Sequence, residues 1–144
     1  MISKKIDINE VNQDCNSPLH YACYFADTDL VGKLLDAGSE ISHKDKDGLR
    51  ATDFAAAADK VEILSALFEK AAALGIKDER IKRWKDEALF IAADNNKEEA
   101  ADFLISQSAD VSKALFFAAE QGSEKAVGTV NKDLQSNRNN AILP

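Results

Sequence analysis

The chain has 144 residues, 45% of them hydrophobic and 30% charged, with only 2 Pro and 6 Gly. That mixture excludes a collagen-like or low-complexity chain, and the length predicts one domain. A formal charge of −7 and a pI near 4.8 disfavour generic binding to nucleic-acid phosphates or anionic lipid.

No apolar run approaches the ~20 residues of a membrane span. The start, Met1 to Glu10, carries Lys4 and Lys5 without a following apolar stretch, so no signal peptide is expected. Cys15 and Cys23 are too few for a disulfide framework and fit a reducing compartment, which makes the cytoplasm the expected location.

Ala occurs 23 times against 3 Thr and 6 Val, and apolar residues recur at helical steps from Leu30 to Val130. A mostly helical chain follows. The first helix is expected to start near Ser17, a good N-cap, with Pro18 at the first helical position, where no hydrogen bond is lost. Leu19, Ala22 and Cys23 share its inner face. A second helix over residues 29–37 presents Leu30, Val31, Leu34 and Leu35 and stops at Gly38, a suitable left-handed cap. Between Ser39 and Gly48, the residues Asp45, Asp47 and Gly48 have the chemistry of a finger-like turn.

Further on, Asp78 is placed to cap a long helix carrying Ile81, Trp84, Ala88, Ile91 and Ala92 at three- and four-residue steps. Another helix is expected near Ser112. From Asn131 the text turns polar, and residues 136–144 read as a tail. Glu124, Lys125 and Lys132 suit a polar face that closes the array.

The chain also repeats itself. Residues 12–44 laid over 45–77 place Ala22 on Ala55, Leu34 on Leu67 and Leu35 on Phe68, a shift of 33 residues. The first copy reads Ser17-Pro18-Leu19-His20-Tyr21-Ala22 and then Leu34-Leu35-Asp36-Ala37-Gly38. The second opens on Asp45-Lys46-Asp47-Gly48 and continues Arg50-Ala51-Thr52-Asp53-Phe54-Ala55. Later copies begin at Leu89-Phe90-Ile91-Ala92 and Leu115-Phe116-Phe117-Ala118. The alanines that close these motifs lie 33, 37 and 26 residues apart.

A 33-residue period with a Thr-Pro-Leu-His-x-Ala-like motif and a Leu-Leu-x-x-Gly-like helix end resembles the ankyrin repeat. The resemblance spans roughly residues 6–130. It implies an all-α, ankyrin-like solenoid of about four helix-turn-helix units, at approximately 12–44, 45–77, 78–111 and 112–135, within one domain over 6–135. One β-finger, between the first two units, is expected to be complete. The next is expected to be replaced by the long helix and the last deleted.

Cys15, His20, Cys23 and His43 include zinc's preferred ligand types, but their spacing matches no common zinc pattern. His20 falls on the motif's structural histidine and Cys23 on a small-residue position, so no metal is expected. The 25 carboxylates form no recognisable catalytic pair, and no phosphate loop, nucleophile elbow or metalloprotease helix motif occurs. An enzyme is therefore not expected, nor is any cofactor. Arg80, Lys82, Arg83 and Lys85 surround Trp84, yet interleaved acids leave residues 77–87 at only +1. This segment reads as a solvated helix face with Trp84 packed on the next helix, ahead of a nucleic-acid site, with a protein contact left open.

The resemblance implies non-enzymatic binding of a protein partner through a concave face and finger. The positions it marks are Gln13, Asp14, Asn16, Tyr24 and Phe25 in the first unit, and Lys46, Asp47 and Leu49 in the second. Asp94, Asn95, Glu120 and Gln121 follow in the later units, with Trp84 added from the long helix. Tyr24 and Phe25 carry the most weight as interface anchors, with packing between repeats as their other reading. The acidic balance implies a basic or mixed-charge protein partner, no nucleic acid, no membrane and a monomer. Two further readings stand beside this one: a regulatory or host-targeting effector of a bacterium, and a thiol- or metal-responsive sensor built on Cys15 and Cys23.

Overall fold

The computed structural model describes residues 8–128. Seven helices follow one another: α1 Pro18–Tyr24, α2 Thr28–Asp36, α3 Ala51–Ala57, α4 Val61–Ala73, α5 Asp78–Asp94, α6 Glu98–Ser106 and α7 Val111–Glu120. Residues 124–128 are again helical, and no strand occurs among the described residues. Each odd-numbered helix packs on the next odd one, α2 packs on α4 and α4 on α6, and α1–α2, α3–α4 and α5–α6 pair as hairpins. The result is a two-layered stack of helical pairs piled in chain order, an all-α repeat solenoid. The expected units beyond residue 128, Lys132 and the tail over 136–144 lie outside the described residues.

Every pair turns the same way. The chain leaves α1, α3, α5 and α7 through a left-handed residue, namely Ala26 (φ 58°), Asp59 (58°), Asn96 (57°) and Gly122 (66°). The next amide then reaches back over that turn: Asp27 N–H donates to Ala22 O at 3.0 Å, Lys60 to Ala55 at 3.2 Å, Lys97 to Ala92 at 2.8 Å and Ser123 to Ala118 at 2.9 Å. This six-residue closure satisfies a carbonyl that the helix end would otherwise orphan. Its acceptors are the four alanines whose spacing marks the sequence repeat. The second helices end similarly, with left-handed Gly38, Gly75 and Ser108 and closing bonds to Leu34, Ala71 and Leu104.

The core lies between the layers. Ala55, Ala56, Ala88, Ala92, Ala93, Ala114 and Ala118 are fully or almost fully buried on the first-helix side, while Ile63, Leu64, Leu67 and Leu104 fill the second-helix side. Small residues on the first helices let backbones approach closely, and branched chains opposite them supply most of the buried hydrocarbon.

Helix starts follow capping chemistry with small departures from expectation. Ser17 caps α1, with Pro18 as its first residue, and Asp27 accepts from Leu30 N–H at 3.1 Å. Asp110 accepts from both Ser112 and Lys113 at the start of α7. Asp78, expected to cap α5, is instead its first residue after Lys77, and no side chain caps that end. With Glu79 it places negative charge in the first turn, where the helix dipole favours it.

Trp84 corrects a second expectation. It is 1% exposed, on the inner face of α5, and the guanidiniums of Arg50 and Arg80 lie 5.0 and 5.8 Å from its ring centre. The three- and four-residue steps that join it to Ile81 and Ala88 turn it inward, so its side chain holds repeats together and is closed to a partner.

Between the later pairs, carboxylates act as staples. Asp59 Oδ1 accepts from Ala100 N–H at 2.8 Å, and the buried Asp86 accepts from Asp110 N–H at 2.6 Å. Leu67→Ala in the fully buried seam is expected to cost about 2–5 kcal/mol. Leu74→Ala at the exposed end of α4 should stay within about 0.5 kcal/mol. Urea denaturation of both variants against the unchanged chain measures the contrast.

Candidate functional site

Two hollows of the first-helix layer gather residues marked by the sequence. The smaller, about 160 Å³, is walled by Asn16, His20, Tyr21, Tyr24, Phe25 and Phe54, between α1 and α3. Tyr21 and Phe25 stand one helical turn apart and stack with ring centres 6.4 Å apart. Tyr24 meets Phe25 and Phe54 edge-on at 5.2 and 6.2 Å. Tyr24 is 53% and Phe25 72% exposed. Exposed aromatics clustered over an apolar hollow can anchor a partner side chain at little cost in rotamer entropy.

The larger hollow, about 470 Å³, is a groove running from the loop before α3 across α5 to the end of α7. Asp47, Gly48 and Leu49 form one rim, and Asp94, Gln121 and Ser123 the other. Asp53, Glu87, Phe90, Ile91 and Phe117 lie between. Four carboxylates and no cationic side chain line it.

The backbone chemistry explains why a carboxylate sits at the bottom. In α1, Ser17 N–H donates to His20 Nδ1 at 3.1 Å, so the ring proton is on Nε2, which donates to Leu49 O at 3.1 Å. Burial holds the His20 pKa below its ordinary value, which suits a neutral ring. One repeat later, 33 residues on, Asp53 takes the histidine's place. Its Oδ2 accepts from Arg50 N–H at 2.9 Å, while Oδ1 is buried without a hydrogen-bond partner. Asp53 is 2% exposed, and burial pushes its pKa up to about 7, against the lowering effect of the Arg50 bond. The nearby Glu87 charge pushes in the same direction as burial. Glu87 itself pairs with Arg50 Nη1 at 2.5 Å, and that guanidinium lies over Trp84.

Of the residues marked by sequence, Asp47, Leu49, Asp94 and Gln121 meet in the groove. Asn16, Tyr24 and Phe25 meet in the aromatic hollow. Asp14 and Lys46 pair with each other across adjacent loops at 2.8 Å, with a backbone bond from Lys46 N–H to Asp14 O beside it. Gln13, Asn95 and Glu120 are exposed and line neither hollow. Sequence reasoning missed Tyr21, Phe54, Asp53, Glu87, Phe90 and Phe117. Asp53 had a signal: it is the polar residue that replaces the histidine when the two copies are overlaid.

The cysteine–histidine set is engaged elsewhere. His43 Nε2 donates to Cys15 O at 2.7 Å, and both His20 nitrogens are hydrogen-bonded. The Cys23 thiol is fully buried and its pKa is pushed up to about 12 by that burial, so it supplies no reactive thiolate near neutrality.

Comparison with known proteins adds two findings. A family model described as ankyrin repeats (many copies) matches residues 1–34. Over 102 residues the chain is 28% identical to the ankyrin repeat and KH domain-containing protein mask of Drosophila melanogaster, which covers 71% of this chain and 2% of that protein. The chain therefore spans a small fraction of this curated relative's length.

The position of Asp53 has a measurable consequence for stability. Its folded pKa is raised, so the folded state retains a proton that the unfolded chain has released between about pH 4 and about pH 7. The stability contributed by this group is full below that window and lost as pH rises through it. Relative to Asp53→Asn, which keeps an acceptor for Arg50 N–H, the unchanged chain is expected to do best near pH 4 and to lose ground until about pH 7. Paired chemical denaturation at several pH values reads this difference.

Proposed function

We propose that this chain is a member of the ankyrin-repeat family, a reading supported by the match over residues 1–34 and the 28% identity over 102 residues, and that it is a non-enzymatic protein-interaction module that holds one partner protein against the face formed by its first helices and the loop before α3. Ankyrin repeats are generally protein–protein interaction modules, and the family is typically non-enzymatic. The observation that carries the reading is the open aromatic cluster of Tyr21, Tyr24 and Phe25 on the first-helix layer, beside an acidic groove on the same layer. Buried faces hold the stack, and this outer face is available for recognition.

The partner is a protein of basic or mixed charge, since Asp47, Asp53, Glu87 and Asp94 line the groove and the whole chain carries −7. The module acts as a monomer in the cytoplasm, with its domain over 6–135 and units near 12–44, 45–77, 78–111 and 112–135. Two free cysteines fit a reducing compartment. Among the described residues, no helix is long and apolar enough to cross a membrane. A thiol sensor receives no support from Cys23, whose sulfur is sealed in the core.

Tyr24→Ala combined with Phe25→Ala is expected to abolish retention of the partner on the immobilised chain while leaving the unfolding midpoint nearly unchanged. Retention of every partner by the double variant would count against the site. Association with the recovered partner should slow as salt is raised, because its rate draws on long-range charge attraction. An association rate indifferent to salt would remove the electrostatic part.

A further inference from the structure

The groove holds more than a collection of surface acids. Its floor contains Asp53, 2% exposed, with one carboxylate oxygen satisfied by Arg50 N–H and the other without a partner. An unsatisfied buried acceptor is costly, and a donor brought by a ligand would remove that cost. Glu87 and Asp94 stand over the same groove from α5, and Asp47 from the opposite rim. Phe90, Ile91 and Phe117 give it apolar walls.

These features select among cations. Among the described residues, no three His, Cys, Asp or Glu side chains converge closely enough to hold a metal ion. The carboxylates are spread instead around a hollow of about 470 Å³, which has room for a whole side chain and part of its backbone. An ammonium is a compact, strongly hydrated charge, whereas a guanidinium is planar, weakly hydrated, able to stack on aromatic rings and able to donate to several acceptors at once. Aromatic walls with acceptors at different heights fit the second.

We propose that the groove is a receptor for an arginine side chain presented by the protein partner, with the guanidinium donating to the unpartnered Oδ1 of Asp53 and balanced by Asp94 and Asp47, while Glu87 stays paired with Arg50. The proposal rests on the protein-binding reading and specifies which partner residue that face selects.

Proton linkage follows from the site's surroundings. The charged groups acting on Asp53 are Arg50 and Asp45 from the loop before α3 and Glu87 from α5; Asp47 and Asp94 line the same groove, and His20 of α1 is bonded to Leu49 O in that loop. From α4 the buried residues are Ile63, Leu64, Leu67, Phe68 and Ala71, all apolar. Asp53 is thus the most buried acid of the set, and arginine binding must draw off the proton it holds at mildly acid pH.

The test uses the full chain and N-acetyl-arginine amide as probe, followed by NMR amide shifts, so that it does not depend on having the partner. Saturable shifts at Asp53, Phe90, Asp94 and Phe117 are expected, tightening as pH rises from about 6 to about 8. Asp53→Asn should weaken the probe about tenfold and flatten the pH dependence, as expected for losing a bond between charged groups. Asp47→Asn, at the exposed rim where misfolding is not a concern, should weaken it about twofold.

N-acetyl-citrulline amide, of equal shape without charge, should leave these resonances still. Equal responses to citrulline amide or N-acetyl-lysine amide, no saturable shift in the groove, or an Asp53→Asn chain that binds like the unchanged one with the same pH profile would overturn the proposal. Partner retention that survives such a result would leave the broader reading standing. Loss of retention in the Tyr24/Phe25 variant with the probe still bound would separate the two surfaces.

Discussion

A single backbone carbonyl in each helical pair governs the shape of this molecule. The oxygens of Ala22, Ala55, Ala92 and Ala118 each accept an amide hydrogen from beyond a left-handed turn residue, and this closure folds the second helix back on the first. The same alanine is also buried, at most 3% exposed in all four pairs, on helices that pack against the neighbouring first helices. One position thus carries a hydrogen bond that sets the angle within a pair and a contact that sets the distance between pairs. Any larger side chain there would push successive pairs apart while leaving the turn intact.

Along the stack, the polar links between pairs change identity. The first pair uses a neutral imidazole that bonds inward to Ser17 and outward to Leu49, tying α1 to the chain entering α3. The second pair has Asp53 at that position. It keeps the inward bond to Arg50, but the shorter side chain makes no outward bond like that of the imidazole to Leu49, so one oxygen is left over. The third pair has Phe90 there, which makes neither bond. Continuity passes instead to the Arg50–Glu87 ion pair, the Asp59–Ala100 bond and the Asp86–Asp110 bond. Loss of the histidine link in the middle of the array coincides with the gathering of carboxylates into one groove. Structural divergence of a repeat and the appearance of a charged recess are here the same substitution.

Much of the fold was legible because its causes are local. Ser17 with Pro18, and Gly38 after Leu35, announce helix ends through local chemistry within a few residues, whereas the Asp27 cap of α2 emerged only with the structure. The 33-residue overlay then placed buried alanine on buried alanine. Trp84 was harder, since a tryptophan ringed by Arg80, Lys82, Arg83 and Lys85 reads as packed on the next helix but leaves a contact surface open. In the folded chain it is 1% exposed, with the guanidinium of Arg50, 34 positions away, 5.0 Å from the ring centre. The site was legible only at its rims: Asp47, Leu49, Asp94 and Gln121 followed from repeat position, but nothing local draws Asp53, Glu87 and Phe117 to the same recess.

The amino-acid order by itself determined the helical class, the repeating unit, most helix ends and the inward stripe of each helix, because capping, left-handed turns and apolar periodicity act over a handful of neighbouring residues. Tertiary structure alone decided which acids share a groove, which aromatic is sealed and which is open, and which carboxylate oxygen is left without a donor. Those outcomes turn on burial and on contacts between residues one or two repeats apart, and only the stacking of one pair upon the next creates either.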